Sequence, residues 1–262
     1  MAYYDEREHA GRIEKVARIL QEKDVDFALI YYDETNIANG WYLTGWCPQF
    51  ESGAVLVSKD GEAMVLGGPE SEPFAKQDSA IKKTYNLPVF MVPDEEYPNA
   101  EIVDFDILFK KLTEGSGSIR RIGIVGLDQI PYGIFMSLKN SFSGVKVVDI
   151  TEEYLRLRYI KSPWEIEQMK KAFELADLSY DAMEAAVKPG VREYEVAAAG
   201  ESIARNNGAN GFAFKTIVGS GNRANAVVPT AMDKVMEAGE TVMIGAAPRF
   251  KGYSGCIGHT LP

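Results

Sequence analysis

Apolar residues recur at helical spacing over residues 5–23, where Ile13, Val16, Ala17 and Leu20 are separated by charges. That pattern predicts an amphipathic helix. Residues 26–32 form a short apolar run that reads as a buried strand. Two further apolar runs, 53–58 and 62–66, flank Asp60-Gly61, whose glycine supplies the positive φ of a tight hairpin turn. Strands are expected at 88–92, 121–125 and 145–149, and helices at 104–113 and 130–140. Strands alternating with helices predict a layered α/β domain with a largely buried sheet.

The second part of the chain reads differently. Ser162-Pro163-Trp164-Glu165 combines a capping serine, a first-turn proline and a glutamate placed for a capping box, so a helix starts there. Ile166, Met169, Phe173, Ala176, Tyr180, Met183 and Val187 follow at steps of three and four and predict one buried stripe. Pro189-Gly190 stops that helix, and a second is expected over 191–206. Residues 212–218 read as a strand. Gly219-Ser220-Gly221-Asn222 reads as a turn, because it lacks the lysine of a phosphate-binding loop. Residues 239–260 hold two apolar runs joined by a polar turn, which predicts a hairpin of buried strands.

Composition narrows the class. The chain has 262 residues with 46% hydrophobic and 25% charged, ordinary for a globular protein. A net charge of −10 argues against binding to nucleic acid or to an anionic membrane, both of which need a basic face. Two distant cysteines, Cys47 and Cys256, make no disulfide framework. The charged N-terminal stretch has no apolar h-region, and no run of about 18 apolar residues occurs. A cytoplasmic protein is expected.

Residues 239–260 resemble the metal-site hairpin of the creatinase, prolidase and Xaa-Pro aminopeptidase ("pita-bread") family, of the form G-D-x-V-x-I-D-x-G-A-x-x-x-G-Y-x-x-D-I-T-R-T. Gly239, Val242, Ile244, Gly252, Tyr253, Ile257 and Thr260 match it. Arg7 with the first helix, Asp26, Asn36-Ile37 and Tyr42-Leu43-Thr44-Gly45 resemble the creatinase-type N-terminal domain, and residues 151–162 resemble the linker that follows it. The resemblance implies an α/β N-terminal domain over 1–152 and the first half of a pita-bread (α+β) domain over 153–262. The family's second repeat is absent, as expected of a natural truncation or a fragment. It also implies a homodimer acting on a small-molecule or peptide substrate.

Family members that use metal hold two divalent ions between two aspartates, a histidine and two glutamates. The two aspartate positions fall on Gly245 and Cys256. The family's upstream histidine falls on Val228, or on Thr230 if the count shifts at Pro229, and neither titrates near neutral pH. No metal and no cofactor are therefore expected. Cys256 reads chiefly as a small apolar residue filling the aspartate's space, with a thiol nucleophile as the alternative. His259 replaces the arginine of the T-R-T motif, and its roles remain open: packing, a catalytic acid/base in the pocket, or half of a Cys256-x-x-His259 metal pair. Strand geometry opposes that pair, since residues three apart face opposite sides. Tyr253, Cys256 and Phe214 are candidate pocket residues. His9 reads as a solvated surface residue, and Tyr42, Trp46, Phe50 and Cys47 as an aromatic cluster in a core or an interface. Three functions follow: a metal-free hydrolase of a small C–N substrate, a catalytically inactive binding protein, or an ordinary metal-dependent Xaa-Pro peptidase.

Overall fold

The structure, a computed structural model, describes residues 3–94, 96–114, 119–141 and 144–262. The chain divides into two units, Met1–Ile160 and Lys161–Pro262. The joint lies later than the expected 152/153 boundary because the helix Thr151–Arg156 buries Tyr154 in the first unit.

The first unit runs α1 (Glu6–Glu22), β1 (Phe27–Tyr32), α2 (Ala38–Thr44), β2 (Gly53–Ser58), β3 (Ala63–Gly67), α3 (Glu72–Asp78), β4 (Thr84–Asn86), α4 (Phe105–Thr113), β5 (Arg121–Val125), α5 (Tyr132–Asn140), β6 (Lys146–Asp149) and α6 (Thr151–Arg156). Its sheet has the order β4-β3-β2-β1-β5-β6. The central strand β1 is buried along its whole length, and its side chains alternate between two cores. Phe27, Leu29 and Tyr31 pack with Phe105 and Leu108 of α4 and Ile134 of α5. Ala28, Ile30 and Tyr32 pack with Val16 and Leu20 of α1, Tyr42 of α2 and Tyr154. Helices on both faces explain why the strands read as continuous apolar runs.

Four expectations change here. The strand expected at 88–92 is a 3-10 turn, Pro88–Phe90. Pro88 cannot donate to a ladder, and residues 84–86 pair with β3 instead. His9 is not solvated: it is 1% exposed, beside Arg12, which is equally buried and donates to the Tyr42 carbonyl at 2.7 Å. Arg12 is therefore the arginine that the fold uses, whereas Arg7 is exposed. The expected aromatic cluster is split, since Tyr42 lies in the core and Phe50 is 82% exposed at φ 63°.

The second unit runs α7 (Pro163–Ala186), α8 (Glu193–Asn206), β7 (Gly211–Phe212), β8 (Ile217–Ser220), β9 (Val242–Ala246), β10 (Pro248–Phe250), β11 (Tyr253–Ser254) and β12 (Ile257–Leu261). Helix α7 carries the expected capping box between Ser162 and Glu165. Its buried face differs from the expected stripe. Ala172, Leu175, Ala176, Ser179 and Met183 are buried, while Ile166 and Phe173 are exposed. The small residues decide this, because they let α8 approach until the Ser179 hydroxyl donates to the Gly200 carbonyl at 3.0 Å. The strand expected at 212–218 is two strands, and the hairpin is bent. β9 pairs with β12 in one sheet, and β10 with β11 in another. Only its first arm is buried, since Gly258, His259 and Thr260 of β12 are exposed.

Candidate functional site

The sheet β12-β9-β8 has two unlike faces, and register assigns each residue to one of them. Val242, Ile244 and Ala246 of β9 pack with Met183 of α7 and with Val196 and Ala197 of α8. Met243 and Gly245 therefore point the other way. Gly245 lies opposite Gly258 on β12 and Ile217 on β8, and Met243 lies opposite Thr260 and Gly219. The strand residues of this face, open in the sense of turned away from α7 and α8, are Ile217, Gly219, Met243, Gly245, Gly258 and Thr260; Ile217, Gly219 and Gly245 are buried, and none of the six ionises near neutral pH. A Cβ on Gly245 would stand 3.3 Å from the Ile257 carbonyl oxygen and 3.6 Å from Ile217 Cβ, a tight fit against backbone at a buried position.

The segment after β8 forms one rim of this face. Thr230 pairs with Ile217 on the edge of β8 away from β9. Pro229 is buried over Gly219, where a Cβ would come within 2.5 Å of the proline ring. That contact accounts for glycine at 219. Val227 and Val228 are 83% and 70% exposed at the tip of the segment. Val228, the expected replacement for the family's histidine, is thus an apolar tip residue next to the face.

His259 is directly opposite Ile244 and so belongs to the helix-covered side of the sheet, away from Gly245. Its ring lies 6.0 Å from that of Tyr180 on α7. Partial desolvation and the Glu184 carboxylate push the Tyr180 phenol up. His259 and Gly245 are on opposite faces, so the histidine expected in the pocket does not share a surface with the emptied aspartate position. Cys256, one residue before β12, is exposed with a free thiol. It is not the buried filler that was expected, because the chain turns outward at Gly255, which sits against the backbone of α7 at Ala172 and Phe173.

Tyr253 does more than pack. Its hydroxyl donates to Glu165 at 2.8 Å, and its ring meets Trp164 edge-on at 6.0 Å. The same glutamate completes the α7 capping box, so the hairpin tip is tied to the start of the helix. Phe214 lies between β7 and β8 and is 38% exposed.

One group escaped the sequence reading. Glu193, the first residue of α8, is fully buried. It accepts from the Ser220 amide at 2.8 Å, the Ser220 hydroxyl at 2.9 Å, Arg223 Nε at 3.0 Å and the Met232 amide at 3.1 Å. Lys234 donates to Ser220 Oγ at 2.9 Å and to Glu240 at 2.6 Å, which holds the Glu240 carboxyl below the usual range. An acidic residue in a helix's first turn reads from sequence as a dipole or capping residue, which concealed this role.

Comparison with known proteins follows the same outline. The sequence profile of the Creatinase/Prolidase N-terminal domain matches residues 12–160, and that of metallopeptidase family M24 matches residues 167–262. The chain is 29% identical over 253 residues to the Xaa-Pro dipeptidase of Pyrococcus horikoshii, covering 95% of this chain and 63% of the relative. The crystal structure of the prolidase from Pyrococcus horikoshii OT3 superposes with a TM-score of 0.75 at 26% identity, over 96% of this chain and 64% of that one. The X-Pro aminopeptidase of Thermotoga maritima superposes with a TM-score of 0.78 at 25% identity, over 95% and 64%. The chain thus spans somewhat less than two thirds of the length of these relatives.

A metallopeptidase profile implies metal ions, and the donor set of this chain does not fit them. Gly245 and Cys256, where the family resemblance sets the two aspartates, carry no carboxylate, and one exposed thiol is a soft ligand unsuited to a hard dinuclear oxygen site. Among the described residues, no three His, Cys, Asp or Glu side chains converge to hold an ion. No helix among them is long and apolar enough to cross a membrane.

Proposed function

This chain belongs to the creatinase/prolidase family, and from that premise we propose that it binds a small peptide or amide over the open face of β8, β9 and β12 without hydrolysing it by the dinuclear route. The observation that carries this reading is the pairing of Gly245 with Gly258 on a face with no ionisable strand residue. A carboxylate pair on that face would hold hard cations and activate water. Two facing glycines present bare backbone, which suits an extended ligand but supplies neither acid nor base. The names of the relatives indicate Xaa-Pro dipeptides as the ligand class to try first.

Metal-free hydrolysis is the second reading, favoured by the exposed free thiol of Cys256, one residue before β12. It needs a base within hydrogen-bond reach, and the register of His259 places that imidazole on the other side of the sheet.

The test is calorimetric titration of this chain with Ala-Pro, with and without EDTA. The expected result is binding that EDTA leaves unchanged, with Ala-Pro recovered intact. Binding that appears only with added Mn²⁺ contradicts the proposal, as does no binding. EDTA-resistant cleavage abolished by Cys256→Ser would replace binding with the thiol reading.

A further inference from the structure

We infer that Glu193 is a positioning residue whose buried carboxylate staples both ends of segment 223–232 and so fixes the rim of the open sheet face, an inference that rests on the ligand reading above. The geometry separates this task from helix capping. The α8 capping contact is made by Glu195, which accepts from the Arg192 amide at 2.7 Å. Glu193 is thereby left to face the strand and the loop. At the start of the segment it holds Arg223, with contacts at 3.2 Å and 3.0 Å. At the end it accepts from the Met232 amide at 3.1 Å.

Arg223 closes the loop a second time, because its Nη2 donates to the Thr230 carbonyl. Ser220 links this staple to a neighbouring ion pair, donating its hydroxyl to Glu193 while accepting from Lys234. Backbone bonds support the same seam, with the Glu193 amide on the Lys234 carbonyl and the Tyr194 amide on the Met232 carbonyl.

A buried carboxylate is costly unless it is fully hydrogen-bonded. This one satisfies its oxygens with two backbone amides, a hydroxyl and a guanidinium, all from the segment it restrains or the strand beside it. Charge-assisted bonds of this kind are the strong ones. Between the stapled ends lie Val227, Val228 and the Pro229 that covers Gly219. The place of Pro229 over the face, and of the two valines beside it in the chain, is therefore set by a group that lies off that face.

The test uses Glu193→Gln together with Arg223→Gln, which breaks the same staple from its half-exposed side and carries less risk to folding. Backbone hydrogen exchange is read over 220–232, and Ala-Pro affinity by calorimetry. Loss of charge-assisted bonds of this size predicts exchange faster by about tenfold or more over 220–232 in both variants, with the interior of α7 and the first unit unchanged. Ala-Pro affinity is expected to fall by about tenfold. Unchanged exchange over 220–232 overturns the inference. Exchange that rises throughout α7 and α8 in both variants also overturns it, since Glu193 would then support the core alone. Equal affinity of wild type and variants for Ala-Pro overturns the positioning role. If wild-type chain fails to bind Ala-Pro at all, the ligand reading is lost, and the exchange measurement alone decides whether Glu193 fixes the rim.

Discussion

Single residues carry the chemistry of this chain by what they lack. The family resemblance is what reads Gly245 and Cys256 as emptied positions, with the Gly252-Tyr253 pair anchoring the count. The side of the sheet on which His259 stands could not be read that way, since it depends on the register of β12 against β9. His9 shows the same limit. A histidine among helix charges looks solvated, yet burial and the Arg12 guanidinium push its imidazole down to about 4. The sign follows directly. The unfolded chain takes up a proton near pH 6.5, and the folded chain does so only near pH 4. Stability is therefore fully present above pH 6.5 and is lost as pH falls through 4, by on the order of 3 kcal/mol for this group. Urea unfolding of His9→Gln at pH 7, 5.5 and 4 should show a shallower fall than wild type over that range. Parallel curves would mean that His9 titrates normally in the fold.

At the scale of elements, local signals served well and packing decided the rest. The α7 start was legible because Ser162, Pro163 and Glu165 act within one turn. The face that α7 buries was not, because Ala172, Ala176 and Ser179 gain their value only against Gly200 of α8. The bend in the hairpin was hidden for a similar reason. Gly255 sits so close to α7 that a Cβ would collide with the Ala172 carbonyl oxygen, and backbone cannot move aside as a flexible side chain can. Gly255→Ala should therefore destabilise the second unit by about 1–3 kcal/mol, read as a lower urea midpoint with an unchanged slope. An unaltered midpoint would show that the β11–β12 connection does not bear on α7 as described. The turn substitution Gly61→Ala, where nothing lies within 4 Å but φ is +88°, separates backbone strain from collision.

At the scale of the molecule, the two units differ in how readable they were. The first unit's sheet alternates between two cores, so strand and helix order could be set down from apolar runs. The second unit takes its character from what faces what: a helix-covered side rich in apolar residues, and an open side of glycine, threonine, methionine and isoleucine. Family membership follows from profiles that together match most of the chain, whereas activity does not, because the chain spans about 63–64% of its relatives' length. The account stands on the claim that this open face recognises without hydrolysing by metal. The most direct measurement is release of free proline from Ala-Pro by this chain in the presence of Mn²⁺. The account predicts no release above the protein-free blank. Proline released in proportion to protein, and stopped by EDTA, would contradict it.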